Sequence, residues 1–173
     1  FYLVNYDPSG WAALARAMDT LPGEDRYGLQ EDAYSLMRAG YLDVPAFLRL
    51  ADAYRNESNH HVCAALASAL AALADVFVTN QPDAFVTRLE ARARDLIRPA
   101  LAKTGFVETA GEPHDLLLLR ATLFGAGVRF GDPEAVEQAK RGFDALRRDM
   151  AAVGPNVRAV VLGGAARHGD VLD

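Results

Sequence analysis

Cysteine is nearly missing from this chain: Cys63 stands alone among 173 residues. One thiol cannot close an internal disulfide or build a cysteine-rich metal site. Lysine is almost as scarce. Of 18 basic residues only Lys103 and Lys140 are lysines, and with abundant alanine this usage points to a bacterium with GC-rich DNA. Positive charge is not in excess either. The net charge is −5, whereas nucleic-acid-binding surfaces are usually basic, so no nucleic-acid partner is expected. Long apolar runs are also lacking. The longest, residues 62–78, is interrupted by Ser68 and Asp75 and falls short of the roughly 20 residues that span a bilayer, so no membrane partner is expected. No secretory leader is apparent. The chain opens on Phe1 inside a strand-like run and reads as a fragment or a processed product.

Signatures of catalysis are missing too. There is no His-Glu-x-x-His pair, no glycine-rich phosphate loop and no Gly-x-Ser-x-Gly elbow. The histidines are His60, His61, His114 and His168. His60 and His61 are adjacent, so on a helix they project about 100° apart and could not readily share a metal. They are read as surface residues of a first helical turn, and His114 as a capping or exposed residue beside Asp115. Cys63 precedes Ala64, Ala65 and Leu66, which favours a small buried residue over a reactive thiol. The sequon Asn56-Glu57-Ser58 is short enough to arise by chance. Glu24 and Asp25 suit a helix N-terminus, where the dipole favours negative charge. No catalytic and no metal-binding residue is assigned.

What remains is a soluble-type composition, half apolar and 24% charged, in a chain the size of one domain. Residues 1–6 are aromatic and β-branched and read as a strand without a partner: either a frayed terminus or the last strand of a preceding sheet. Beyond Asp7 the punctuation is helical. Asp7-Pro8 and Asp132-Pro133 place an N-cap acceptor before a first-turn proline, and Pro45, Pro82, Pro113 and Pro155 sit near other helix starts. Gly40, Gly105, Gly131 and Gly169 follow periodic runs as C-terminal caps.

Apolar spacing between these marks gives eight helical stripes. They begin with Trp11, Leu14, Met18 and Leu21 and end with Val157, Val160, Val161 and Ala165. The fifth contains Pro99, where a kink or early end is expected. Short connections between eight helices predict an all-α, HEAT/armadillo-like solenoid of helical hairpins, with an orphan N-terminal strand. A compact helical bundle is the alternative. Arg158 and Arg167 lie nine residues apart, on opposite sides of the last helix, and Arg158 is the one candidate for touching a ligand in the concavity.

Several ordered motifs carry a resemblance. Tyr2-Leu3-Val4-Asn5-Tyr6-Asp7 is followed by Trp11. Next come Arg26 with Leu29, then Asp32-Ala33-Tyr34 and Leu36 through Gly40. Asn56-Glu57, Arg98-Pro99 with Gly105-Phe106, His114 with Leu118-Leu119-Arg120, Pro155-Asn156-Val157-Arg158 and Arg167-His168-Gly169 complete the series. In this order they resemble the C-terminal helical domain of the puromycin-sensitive and endoplasmic-reticulum-type zinc aminopeptidases, a gluzincin family. Phe106 stands where the family has Trp, and Cys63 lies near another family Trp.

The resemblance implies that residues 1–7 end a preceding β domain and that residues 8–173 form a helical-repeat C-terminal domain, cut short at its own C-terminus. It implies a gluzincin-type aminopeptidase as parent, and a cytoplasmic location is expected for it. Zinc would belong to a catalytic domain upstream, and this chain would hold no cofactor. The partners would be that catalytic domain and a peptide substrate, and the helical domain would enclose the cleft and control peptide access. A stand-alone helical-repeat module binding peptides or proteins is the competing reading.

Overall fold

Aspartate placed ahead of proline starts three of the helices. The Asp7 carboxylate accepts the Gly10 amide at 2.7 Å, Asp43 accepts that of Ala46 at 2.6 Å, and Asp132 accepts those of Glu134 and Ala135 at 3.1 Å each. Each satisfies N–H groups that the helix cannot pair internally. Gly40, Gly105 and Gly131 close helices at φ of 79°, 65° and 68°, a conformation that a side chain would strain.

The computed structural model describes residues 3–78 and 83–168. Among them are eight α-helices and no strand: α1 (Pro8–Ala17), α2 (Gly23–Arg38), α3 (Val44–Ala51), α4 (His60–Val78), α5 (Asp83–Thr104), α6 (His114–Arg129), α7 (Pro133–Arg148) and α8 (Arg158–His168). The fold is all-α, and each of its eight helices overlaps one of the eight stripes in the sequence. Pro82 and Gly169 lie outside the described residues.

Three expectations need correction. The strand over residues 1–6 is not formed in the described part, residues 3–7, where no neighbouring strand offers a ladder. Of the two outcomes expected at Pro99, a kink or an early end, the early end does not occur, since α5 runs on to Thr104. Pro99 has no N–H to give the carbonyl four residues back. That carbonyl, on Asp95, instead accepts Arg55 Nη1 at 3.1 Å. An exposed arginine from another element thus replaces the bond that proline removes.

Helix α4 is the centre of the core. Its Val62, Leu66, Ala69, Leu70, Leu73 and Ala74 are buried, and it packs against α2, α5 and α6. This also corrects the reading of the apolar run. By length and composition alone, residues 60–77 of α4 are long and apolar enough to cross a membrane. In the fold the most apolar stripe of that helix is covered by its neighbours.

The even-numbered helices form a row in which α2 touches α4, α4 touches α6 and α6 touches α8. Helices α3, α5 and α7 lie alongside and are joined by side chains. Arg92 of α5 reaches Asp52 beyond α3 at 2.5 Å, and Arg98 of α5 reaches Asp132 at the start of α7 at 2.8 Å. The last pair, α7 and α8, approaches closely because glycine lines the contact. A Cβ on Gly164 would stand 2.6 Å from that of Ala139, and one on Gly142 would stand 2.8 Å from Val161.

Candidate functional site

Three arginines carried by the shared motifs turn out to fasten one segment to another. Arg26, in the first turns of α2, makes a two-pronged contact with Glu57 after α3: Nε to Oε2 at 2.6 Å and Nη2 to Oε1 at 2.9 Å. Its third donor reaches the Leu21 carbonyl at 2.5 Å, and the Tyr54 hydroxyl donates to the Arg26 carbonyl at 2.8 Å. Glu57 also accepts the Ser58 and Asn59 amides at 2.8 Å each. Burial alone would raise the Glu57 carboxyl. Arg26 and the Asn59 and Ser58 amides outweigh burial and hold it below the ordinary carboxylate range. Burial, reinforced by the Glu57 charge, pushes the Tyr54 phenol upward.

Arg120 is buried in α6 and forks onto Glu112, with both bonds at 2.6 Å, while its Nε holds the Thr104 carbonyl at 3.1 Å. The bond from Arg120, with help from the Thr109 amide, lowers the Glu112 pKa. One side chain therefore ties the end of α5 to the loop that leads into α6. Arg98 pairs with Asp132, the cap of α7. Burial would raise the Asp132 carboxyl, but Arg98 and the capped amides pull it below the usual value.

Arg158, the candidate ligand contact, begins α8, is partly buried and donates from Nε to the Val153 carbonyl at 2.9 Å. Among the described residues its guanidinium has no carboxylate partner. Arg167 is exposed. The motif around Arg158 rests on Glu108 from the α5–α6 loop. That carboxylate accepts the Asn156 and Val157 amides at 2.9 and 3.1 Å and the Asn156 side chain at 3.2 Å. Sequence reasoning missed Glu108 and Glu112, because loop acids carry no spacing that distinguishes them. The multiplicity of arginines in the motifs was the available signal.

His60 and His61 stand in the first turn of α4 with ring centroids 3.8 Å apart, His61 exposed, and His114 is exposed at the start of α6. Cys63 is buried, and burial together with the Glu57 charge pushes its thiol up to about 12. Among the described residues no three His, Cys, Asp or Glu side chains stand close enough together to hold a metal ion.

One concavity, of about 750 Å³, lies beside the segment that leads into α1. Tyr6, Trp11, Tyr41, Arg49 and Leu50 are among the residues lining it. Tyr6 packs edge-on against Trp11 at 5.2 Å, Tyr41 is 72% exposed, and the buried Trp11 indole N–H has no acceptor among the described residues.

Comparison with known proteins adds what geometry cannot. Residues 1–173 match the ERAP1-like C-terminal domain family. Aminopeptidase 2 of Candida albicans is 31% identical over 172 residues, covering 98% of this chain and 18% of its own length. Aminopeptidase M1-A of Oryza sativa is 28% identical over 91% of this chain and 18% of its own length. Human glutamyl aminopeptidase is 27% identical over 93% of this chain and 17% of its own length. The chain thus spans less than one fifth of the length of each of these three relatives. The motif order, the all-helical fold and this match over all 173 residues agree: the chain belongs to the ERAP1-like C-terminal domain family, the C-terminal part of M1 aminopeptidases.

Proposed function

We propose that this domain is the non-catalytic helical wall of a zinc-dependent aminopeptidase, enclosing the cleft of a catalytic domain upstream and controlling which peptides enter. One observation carries the reading. The family motifs at Arg26, Glu57, Arg98 and Arg120 are used to hold helices and loops to one another, as a wall requires. The two-row helix order supports a solenoid whose inner face looks towards the peptide. Residues 1–7 close the preceding domain in this reading, and zinc is bound by that domain's own residues. Arg158, whose terminal nitrogens face no carboxylate among the described residues, contacts the distal part of the peptide. In this reading the parent is cytoplasmic and bacterial, and codon-linked composition speaks only for the bacterial part.

The test has two arms. The 173-residue chain is assayed with aminoacyl arylamides; zinc-dependent turnover by it alone would sink the proposal. In the parent enzyme, Arg158→Ala is expected to shift the preference among peptides of different length while hydrolysis of single-residue arylamides stays within about twofold. An unchanged length profile removes Arg158 from the peptide path.

A further inference from the structure

Helices α3 and α5 leave a groove between them of about 580 Å³. Leu48 of α3 and Phe85 and Leu89 of α5 give it an apolar lining. Arg55, Arg88 and Arg92 line it as well, and all three are exposed. Asp52 and Asp95 are the acids among them. The chain as a whole has a net charge of −5, yet this lining holds three cations against two anions. Only one cation is matched. Arg92 Nη2 meets Asp52 at 2.5 Å. Arg55 gives one nitrogen to the Asp95 carbonyl at 3.1 Å. Among the described residues neither Arg55 nor Arg88 has a carboxylate partner. A guanidinium presents a planar fork of donors that fits a carboxylate, and apolar surface beside it lessens the competition from water.

We propose that the α3–α5 groove docks an acidic segment of a partner protein, one in which an apolar side chain is flanked by carboxylates. The apolar side chain rests on Leu48, Phe85 and Leu89, and the carboxylates take the free donors of Arg88 and Arg55. A uniform polyanion fits less well. Asp52 and Asp95 stand among the arginines and repel it, so the groove selects against nucleic acid and polyphosphate. The groove lies in the row of α3, α5 and α7, whereas Arg158 is on α8, in the other row. The occupant is therefore a bound partner and not the substrate peptide assigned to Arg158, and the inference does not rest on the access role.

Fluorescence anisotropy on the full-length polypeptide tests it, with labelled, N-acetylated peptides as probes. Acetylation removes the free N-terminus that an aminopeptidase substrate carries. The probes are Asp-Glu-X-Glu-Asp with Leu, Phe or Val at X. At least one is expected to bind about tenfold or more tighter than its uncharged Asn-Gln-X-Gln-Asn analogue, and about threefold or more tighter than the probe with Ser at X. Arg88→Glu is expected to weaken binding by about tenfold or more, and Arg158→Ala to leave it within about twofold. Because Arg88 is exposed, its variant should keep the melting temperature of the unaltered polypeptide, which separates a lost site from a lost fold. Failure of all three probes to bind at about 1 mM overturns the proposal. So does binding that Arg88→Glu leaves unchanged. A single-stranded oligothymidylate that binds as tightly as the acidic probes overturns it in favour of polyanions, and self-association abolished by Arg88→Glu overturns it in favour of a second copy. None of these outcomes depends on the peptide-length profile, so the groove and the access role can fail separately.

Discussion

Arg26 and Glu57 are 31 residues apart in sequence and joined by two hydrogen bonds in space, at 2.6 and 2.9 Å. Each belongs to a different short motif, and neither motif announces the other. Their pairing anchors the start of α2 to the turn that precedes α4. The Glu57 side chain is 3% exposed and that of Arg26 20%. Removing one partner leaves a largely desolvated charge. Glu57→Gln is therefore expected to destabilise the domain by about 2–4 kcal/mol, read from urea unfolding. Tyr54→Phe, which loses one neutral hydrogen bond at the same junction, is expected to cost about 1 kcal/mol. If the two variants cost the same, the charge pair is not the main tie.

Acid should weaken the fold through the same groups. Glu57 and Asp132 both have folded pKa values below their ordinary 4.5 and 3.8. Above about pH 5 both are ionised whether folded or unfolded, and their contribution to stability is complete. As pH falls below the ordinary values, the unfolded chain takes up protons first, and that contribution is lost as pH drops through the depressed folded values. Stability followed by chemical denaturation between about pH 5 and pH 3 should fall, and Glu57→Gln should flatten the slope. An unchanged slope in the variant would assign the loss to other carboxylates.

Two neighbouring glycines of α8 should respond in opposite directions. A Cβ at Gly164 meets Ala139 at 2.6 Å, while at Gly163 nothing lies within 4 Å. Gly163→Ala should stabilise by up to about 1 kcal/mol through helix propensity. Gly164→Ala gains the same propensity but forces α7 and α8 apart, and a net loss of about 1–2 kcal/mol is expected. Melting temperatures of the two variants check this; a rise in both would mean that the helix pair can separate without cost.

The Arg55–Asp95 contact should depend on Pro99. With alanine at position 99 the helix can supply the missing N–H itself, and Arg55 loses its role. A double-mutant cycle of Arg55→Ala and Pro99→Ala is expected to show a coupling of about 0.5 kcal/mol, small because the contact is exposed. A coupling of zero would hand the Asp95 carbonyl to solvent.

Cys63 should be silent towards alkylation. With its thiol pushed up to about 12 and the side chain buried, iodoacetamide at pH 8 should modify it only after denaturant is added. Rapid labelling of the folded protein would contradict its burial beside Glu57.

Eight helices, the aspartate caps Asp7 and Asp132 and the left-handed Gly40, Gly105 and Gly131 follow from local chemistry. Aspartate before a helical start and apolar spacing near 3.6 act within a few residues, so the sequence by itself determined them. Family membership was legible for a related reason, since motif order is a property of the chain and not of its folding. Other features required distance. Pro99 reads as a kink or an early helix end until Arg55, from another element, satisfies the carbonyl it leaves open. Residues 1–6 read as a strand, but a strand needs a second backbone, and the described residues supply none. The apolar run of α4 looks too broken to cross a membrane until its helix is drawn. The whole window then meets the length and composition for a span, and packing against α2, α5 and α6 buries one stripe of it, 39% of the window, in the core. The partners of Arg26, Arg98 and Arg120 were decided by tertiary structure alone, because an ion pair closes over whatever separation the packed helices leave between two charges.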